Sequence, residues 1–153
     1  MKLGKLLERT GISCPMEDVE ITALCRDSRQ VTPGCAFVCI KGTGVDSHKF
    51  AEQALEQGAA LVVVERDLGR PKQLIVENSR TVWAQMSAAW FGYPSERLHL
   101  IGVTGTNGKT STTYLLKAIL EQAGHMVGLI GTIRNLIGDR EIAAGHTTPD
   151  SYD

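Results

Sequence analysis

The sequence predicts an α/β protein built in two parts, and three observations carry that reading. Short apolar runs alternate with stretches of helical periodicity from residue 21 to residue 90. Residues 59–64 are almost wholly apolar, the pattern of a strand covered on both faces. Gly92-Tyr93-Pro94-Ser95 then breaks the alternation before it restarts. We therefore expect a small domain over 1–95, with mainly parallel strand pairing, and the beginning of a second over 96–153.

The elements follow in order. Leu3, Leu6 and Leu7 lie on one face of a short helix over 2–9, which stops near Gly11. Residues 21–25 read as a strand that runs into the polar stop Arg26-Asp27-Ser28-Arg29. Pro33-Gly34 signals a turn, followed by a strand over 35–40 with Phe37 at its centre. A glycine-bearing loop over 41–46 comes next. Ser47 is the expected N-cap of a helix carrying Phe50, Ala51, Ala54 and Leu55, and Gly58 closes that helix. After the 59–64 strand, residues 74–76 form another. Asn78 or Ser79 caps a helix whose stripe is Val82, Trp83, Met86, Ala89 and Trp90. The two tryptophans, seven apart on one helix, suit core or interface anchors better than base-stacking platforms.

The second part opens on chemistry. Residues 98–103 read as a short buried strand, and Tyr114, Leu115, Ala118, Ile119 and Ala123 recur at helical spacing up to Gly124. A second apolar run follows over 126–130. Between the first strand and the helix lies Thr104-Gly105-Thr106-Asn107-Gly108-Lys109-Thr110-Ser111. Glycines there let successive backbone N–H groups converge on an anion, and the helix adds its positive end. Lys109 has the reach for terminal phosphates, and the Thr110 hydroxyl suits Mg²⁺. The general pattern places a glycine five positions before Gly108; this chain has Val103 there, with Gly102 and Gly105 on either side. The fold class is thus a small Rossmann-like domain followed by the start of a P-loop ATPase-type domain with a mixed or parallel sheet. Such a domain normally needs more strands, one of them carrying an acidic residue to the metal, so the chain reads as the front of a longer enzyme.

Composition narrows the class. The formal net charge is −1, which gives no electrostatic reason to expect nucleic acid or an anionic membrane as partner. No apolar run approaches spanning length and the start lacks a signal-peptide core, so no membrane insertion is expected. Cys14, Cys25, Cys35 and Cys39 show neither Cys-x-x-Cys spacing nor a nearby histidine ligand pattern, which fits reduced thiols in a cytoplasmic protein.

The 104–110 stretch resembles the nucleotide loop of the Mur ligases, the ATP-dependent amide-forming enzymes of peptidoglycan synthesis. Folylpolyglutamate synthases are similar here but typically follow the lysine with Gly-Ser, whereas this chain has Thr110-Ser111. Asp27-Ser28-Arg29, Pro33-Gly34, Phe37-Val38, Gly42, Asp46-Ser47-His48 and Gly58-Ala59-Ala60 resemble the uridine-nucleotide domain of two branches of that family. One adds the third peptide residue and the other adds D-alanyl-D-alanine. Residues 128–133, Ile137-Gly138-Asp139, Thr147-Thr148-Pro149-Asp150 and Tyr93-Pro94-Ser95 resemble the first branch.

The resemblance implies an ATP-dependent ligase using Mg²⁺. Its substrates would be UDP-N-acetylmuramoyl-L-alanyl-D-glutamate and a diamino acid, meso-diaminopimelate or L-lysine, joined through an acyl phosphate. It implies that Gly105, Thr106, Asn107, Gly108, Lys109, Thr110 and Ser111 carry ATP, with Lys109 catalytic on the phosphates and Thr110 on the metal. It implies that Ser28 contacts the uracil nucleotide, that Thr43, Gly44 and Val45 occupy the loop over it, and that Thr147 and Thr148 hold the muramoyl-peptide. Arg26 departs from the leucine some members carry beside the uridine. The 153 residues alone are expected to be inactive, and the alternatives are a D-alanyl-D-alanine-adding member of the family or a nucleotide-binding module without chemistry of its own.

On residue chemistry alone, Asp27-Ser28-Arg29 reads as a solvated turn and Thr147-Thr148-Pro149 as an extended segment before a proline. His48 reads as a residue at a helix start rather than a ligand or base, and His99, His125 and His146 receive no role.

Overall fold

A computed structural model describes residues 1–42, 44–142 and 150–152. Its packing divides the chain into two compact units, Met1–Arg97 with Tyr152, and Leu98–Ser151.

The first unit is a three-layer α/β/α arrangement. Strands β1 (Leu24–Cys25), β2 (Ala36–Val38), β3 (Leu61–Val64) and β4 (Gln73–Ile75) form one sheet in chain order, every pair parallel. The period of two sorts the side chains between its faces. Ala36, Val38, Leu61, Val63 and Leu74 meet helices α1 (Leu3–Leu7) and α3 (Ser79–Trp90) on one side. Phe37, Val62 and Val64 meet Ala51 and Ala54 of helix α2 (Ala51–Glu56) on the other. All four residues of β3 are fully buried, as a strand covered on both faces requires. Each such aliphatic side chain contributes about 1.5–3 kcal/mol of burial.

Local chemistry sets the helix ends. Asn78 caps α3 by accepting from the Thr81 N–H at 3.0 Å, and Val82, Trp83, Met86 and Ala89 form its buried stripe, with Trp90 half-buried. Tyr152 lies against that helix, 5.5 Å from the Trp83 ring and 5.4 Å from Phe91. Ser47, expected as an N-cap, has another job. Asp46 caps a 3-10 turn over Ser47–Phe50 that precedes α2, while the Ser47 hydroxyl bonds both backbone groups of Ile40. Asp46 wins because its carboxylate reaches the His48 N–H at 3.0 Å as a charge-assisted acceptor. The four cysteines are buried and unbridged.

The second unit holds helix α4 (Lys109–Gln122) and a sheet of β5 (Gly128–Leu129), β6 (Asn135–Ile137) and β7 (Arg140–Ile142), paired antiparallel. The β6–β7 turn uses Gly138 at positive φ, 55°, in the first position of a two-residue loop. Residues 98–103 depart from expectation. They form no strand, and Leu98, Leu100 and Ile101 are exposed. An apolar segment becomes a strand only when neighbours satisfy its backbone, and none among the described residues does so. Leu115 and Ile119 of α4, read at helical spacing, also stand exposed. No helix of the described residues is long and apolar enough to cross a membrane.

Candidate functional site

Two groups of candidate residues emerge, one in each unit.

In the second unit the chain turns into α4 at Gly108, which sits in the left-handed region at φ 76°. An L side chain would be strained there, although nothing stands within 4 Å of where its Cβ would lie. Gly105 has φ 146°, another value that favours glycine. The helix closes its first backbone bond from the Thr112 N–H to the Gly108 carbonyl at 2.9 Å, so the donors ahead of it face out of the helix end. With the macrodipole, this is a ready anion cradle. Lys109 Nζ curls back over the loop and donates to the Gly105 carbonyl at 2.6 Å and to that of Thr106 at 3.5 Å. The stretch 104–109 is exposed and Thr110 half-exposed on the first helical turn.

A metal at this end would find the Thr110 hydroxyl, on the first turn of α4, as a hard oxygen donor. That suits Mg²⁺, which keeps most of its waters and takes few protein ligands beside substrate phosphates. No group of three or more His, Cys, Asp and Glu among the described residues could hold a metal elsewhere.

In the first unit the candidates collect at the carboxyl ends of parallel strands, where open α/β sheets bind ligands. Ser28 follows β1 in a 3-10 turn, Ser28–Gln30, capped by Asp27. Asp27 is itself clamped by Arg29, whose Nη2 lies 2.6 Å from Oδ2, and this pair with the Arg29 N–H holds the Asp27 pKa down at about 2. Gly44 and Val45 lie on the loop after β2, the next strand in the sheet, and Val45 is exposed. The base of that loop is closed by a Gly42 N–H to Val45 carbonyl bond of 2.9 Å and by a bridge between Lys41 and Asp46. Thr43, Thr147 and Thr148 lie outside the described residues, as does His146.

Sequence reasoning passed over the side chains beneath the 41–46 loop. His48 is buried, with Nδ1 2.5 Å from Asp46 Oδ1, and its Nε2 accepts the Glu65 N–H at 2.9 Å. The Glu65 carboxylate accepts from the Ser79 N–H and hydroxyl at 2.9 and 2.8 Å, which lowers its pKa. Arg66 Nη2 donates to Asp46 Oδ2 at 3.1 Å. The Asp46 pKa falls to about 2, through the His48 N–H first and then the imidazole. Asp46-x-His48 at a helix start was the available signal; Glu65, 17 residues away, could not be paired with it from spacing.

Comparison with known proteins now bears on both groups. The profile described as the Mur ligase family, catalytic domain, matches residues 20–88, and that of the Mur ligase middle domain matches residues 103–153. A UDP-N-acetylmuramoyl-L-alanyl-D-glutamate–2,6-diaminopimelate ligase from Geobacillus thermodenitrificans is 51% identical over 133 residues, covering 86% of this chain and 27% of the relative. One of the same name from Alkaliphilus metalliredigens is 47% identical over 158 residues, covering 100% of this chain and 32% of the relative. The chain thus spans under a third of the length of each of these two relatives. Among solved structures, a UDP-N-acetylmuramoyl-L-alanyl-D-glutamate–2,6-diaminopimelate ligase aligns over 99% of this chain and 31% of its own, at TM-score 0.77 and 25% identity. MurF from Acinetobacter baumannii aligns over 79% of this chain and 27% of its own, at TM-score 0.60 and 30% identity.

Proposed function

The chain belongs to the Mur ligase family, and from that premise we propose that it supplies the nucleotide-handling parts of an ATP-dependent ligase. The reaction proposed joins a diamino acid to the D-glutamyl carboxylate of UDP-N-acetylmuramoyl-L-alanyl-D-glutamate. Both relatives named above, as ligases of 2,6-diaminopimelate, support that compound as the acceptor. The single observation that carries the reading is the left-handed Gly108 turning the chain into α4 with Lys109 curled over the loop.

In this reading the carboxylate oxygen attacks the γ-phosphorus of ATP, ADP leaves, and an acyl phosphate remains on the glutamyl carbon. The amine of the diamino acid then attacks that carbon, the amide forms, and inorganic phosphate departs as the amine loses a proton. Two polyanions must meet without repelling one another. The backbone N–H groups over 105–111 cradle the phosphates, and Lys109 leaves its carbonyl partners to follow the γ-phosphoryl group as charge builds on it. Thr110 would stand among the ligands of Mg²⁺, which when bound neutralises phosphate charge. Ser28, Gly44 and Val45, with Thr43, Thr147 and Thr148, are the residues proposed for the UDP-bearing substrate. Holding both substrates in register supplies much of the remaining acceleration. The boundary proposed between the two binding functions is 95/96.

The test is phosphate release by the protein of the full reading frame, given ATP, Mg²⁺ and the UDP-muramoyl-dipeptide. Release that depends on diaminopimelate is expected. Release that depends instead on D-alanyl-D-alanine would move the protein to the other branch, and none with any acceptor would leave a binding module without chemistry.

A further inference from the structure

The strand ends of the first unit carry a polar chain that core packing does not require. It starts at the N-terminus of α3, where the Ser79 N–H and hydroxyl donate to the Glu65 carboxylate at the end of β3. It continues from the Glu65 N–H to Nε2 of His48 at 2.9 Å, and from His48 Nδ1 to Asp46 Oδ1 at 2.5 Å. Asp46 is the closing residue of the 41–46 loop, bridged to Lys41. The Glu65 N–H can only donate, so Nε2 is the bare nitrogen and Nδ1 carries the proton toward Asp46. His48 is 4% exposed. A buried imidazole without partners is costly, so its two bonds hold it in one orientation. Arg66 completes the set by pairing with the outer oxygen of Asp46 at 3.1 Å. Other contacts tie the loop to its surroundings: Ser47 to Ile40 and Arg80 Nη2 to the Lys41 carbonyl at 3.0 Å. Among these ties, His48 joins the loop base to the end of β3.

We propose that His48 is a positioning residue for the uridine-nucleotide substrate: it fixes the Val45–Asp46 arm against the ends of β3 and α3, so that the arm meets the nucleotide preformed. His48 itself touches no substrate. The proposal rests on the reading of this edge as the UDP site. It predicts that losing the Glu65 bond weakens the UDP-bearing substrate and leaves ATP untouched, because the phosphate loop belongs to the other unit.

Three variants separate the bonds. His48→Ala removes both. In His48→Gln the amide oxygen reaches the place of Nε2 and still accepts from Glu65. In His48→Asn the shorter amide serves Asp46 but falls short of Glu65. Calorimetric titration of the full-length protein with UDP-N-acetylmuramoyl-L-alanyl-D-glutamate should show about tenfold weaker binding for His48→Ala and His48→Asn, and about threefold or less for His48→Gln. A non-hydrolysable ATP analogue with Mg²⁺ should bind all of them as it binds the parent. If His48→Ala does not fold, as judged by its melting transition, the Gln and Asn variants decide alone. His48→Gln as weak as His48→Asn, parallel weakening of the ATP analogue, or a His48→Ala variant that binds as the parent does would each overturn the proposal. A parent protein that does not bind the UDP substrate removes the proposed function beneath it, whereas a parent that binds and variants that match it remove only the role of His48.

Discussion

Lys109 and Gly105 are joined across the proposed phosphate loop, the ammonium donating to the carbonyl at 2.6 Å from one helical turn further along the chain. The contact lies in solvent, so it adds little to stability. It stores the charge at the place where the proposed chemistry needs it, and exchanging a carbonyl for a phosphate asks only for a rotation of the side chain.

Replacing Lys109 should therefore separate activity from folding. If the proposed ligase reaction holds, Lys109→Ala in the full-length protein is expected to lower its kcat by about 10²–10³ or more, the range for removing a donor that meets developing charge. Its melting temperature should match the parent's. Steady-state phosphate release and a thermal scan check both halves, and normal turnover would end the phosphate-loop assignment.

Gly108 offers a backbone test of the same loop. At φ 76°, alanine is strained by about 1–2 kcal/mol while meeting no neighbouring atom. Gly108→Ala should weaken binding of an ATP analogue by roughly tenfold or more, because relieving the strain turns the helix end away from its cradle. Titration calorimetry reads the affinity, and circular dichroism should find the helix content unchanged.

Ser47 ties the far end of the 41–46 loop back to Ile40. Its hydroxyl accepts from the Ile40 N–H at 2.7 Å and donates to the Ile40 carbonyl at 2.8 Å. Ser47→Ala strips the half-buried Ile40 N–H of that partner, while the Ile40 carbonyl keeps the Ser47 N–H at 3.2 Å, at a cost of about 1–3 kcal/mol. Urea denaturation should show the midpoint falling. Had Ser47 been a simple N-cap, Ser47→Gly would cost only a few tenths; here it should cost as much as alanine.

Acid should act through Asp46 and Asp27. Both have folded pKa values depressed to about 2, against about 3.9 in an unfolded chain. A depressed carboxylate contributes stability that is fully present above the unfolded value and is lost as pH falls through the folded one. The window is thus from about pH 4 down to about pH 2. Asp46→Asn should destabilise the protein at pH 7 and flatten part of the decline across that window, as followed by denaturant midpoints at stepped pH. An unchanged acid slope would mean that the His48 and Arg66 contacts to Asp46 do not persist in solution.

Much of the first unit was legible because its signals are local. The short apolar run before Glu65, ending in three valines, reads as a covered strand, and Asn78 or Ser79 ahead of a helical stripe brackets where α3 begins. What escaped is what depends on partners distant in sequence. Asp46 and Ser47 are both good capping residues, and choosing between them needs the knowledge that Ile40 lies within reach of Ser47. Nothing in the residue pattern raises His48 above a helix-start residue, because its second partner, a backbone N–H, has no signature in the sequence. In the second unit the apolar pattern of 98–103 states a preference that no strand among the described residues answers, so pattern and structure part there. The turn into α4 was readable for the opposite reason: a glycine ahead of Lys109 and Thr110 at a helix start makes its own geometry.

The four strands of the first sheet lie side by side in the order in which they are made. Leu24 pairs with Ala36, Ala36 with Leu61 and Val62 with Gln73, so no strand waits for a neighbour from the far end of the unit. Loop closure over such short spans costs little entropy. The sheet can grow by accretion as the polypeptide emerges, each new strand docking on an edge already laid down, which limits the time any bare edge spends open to another chain.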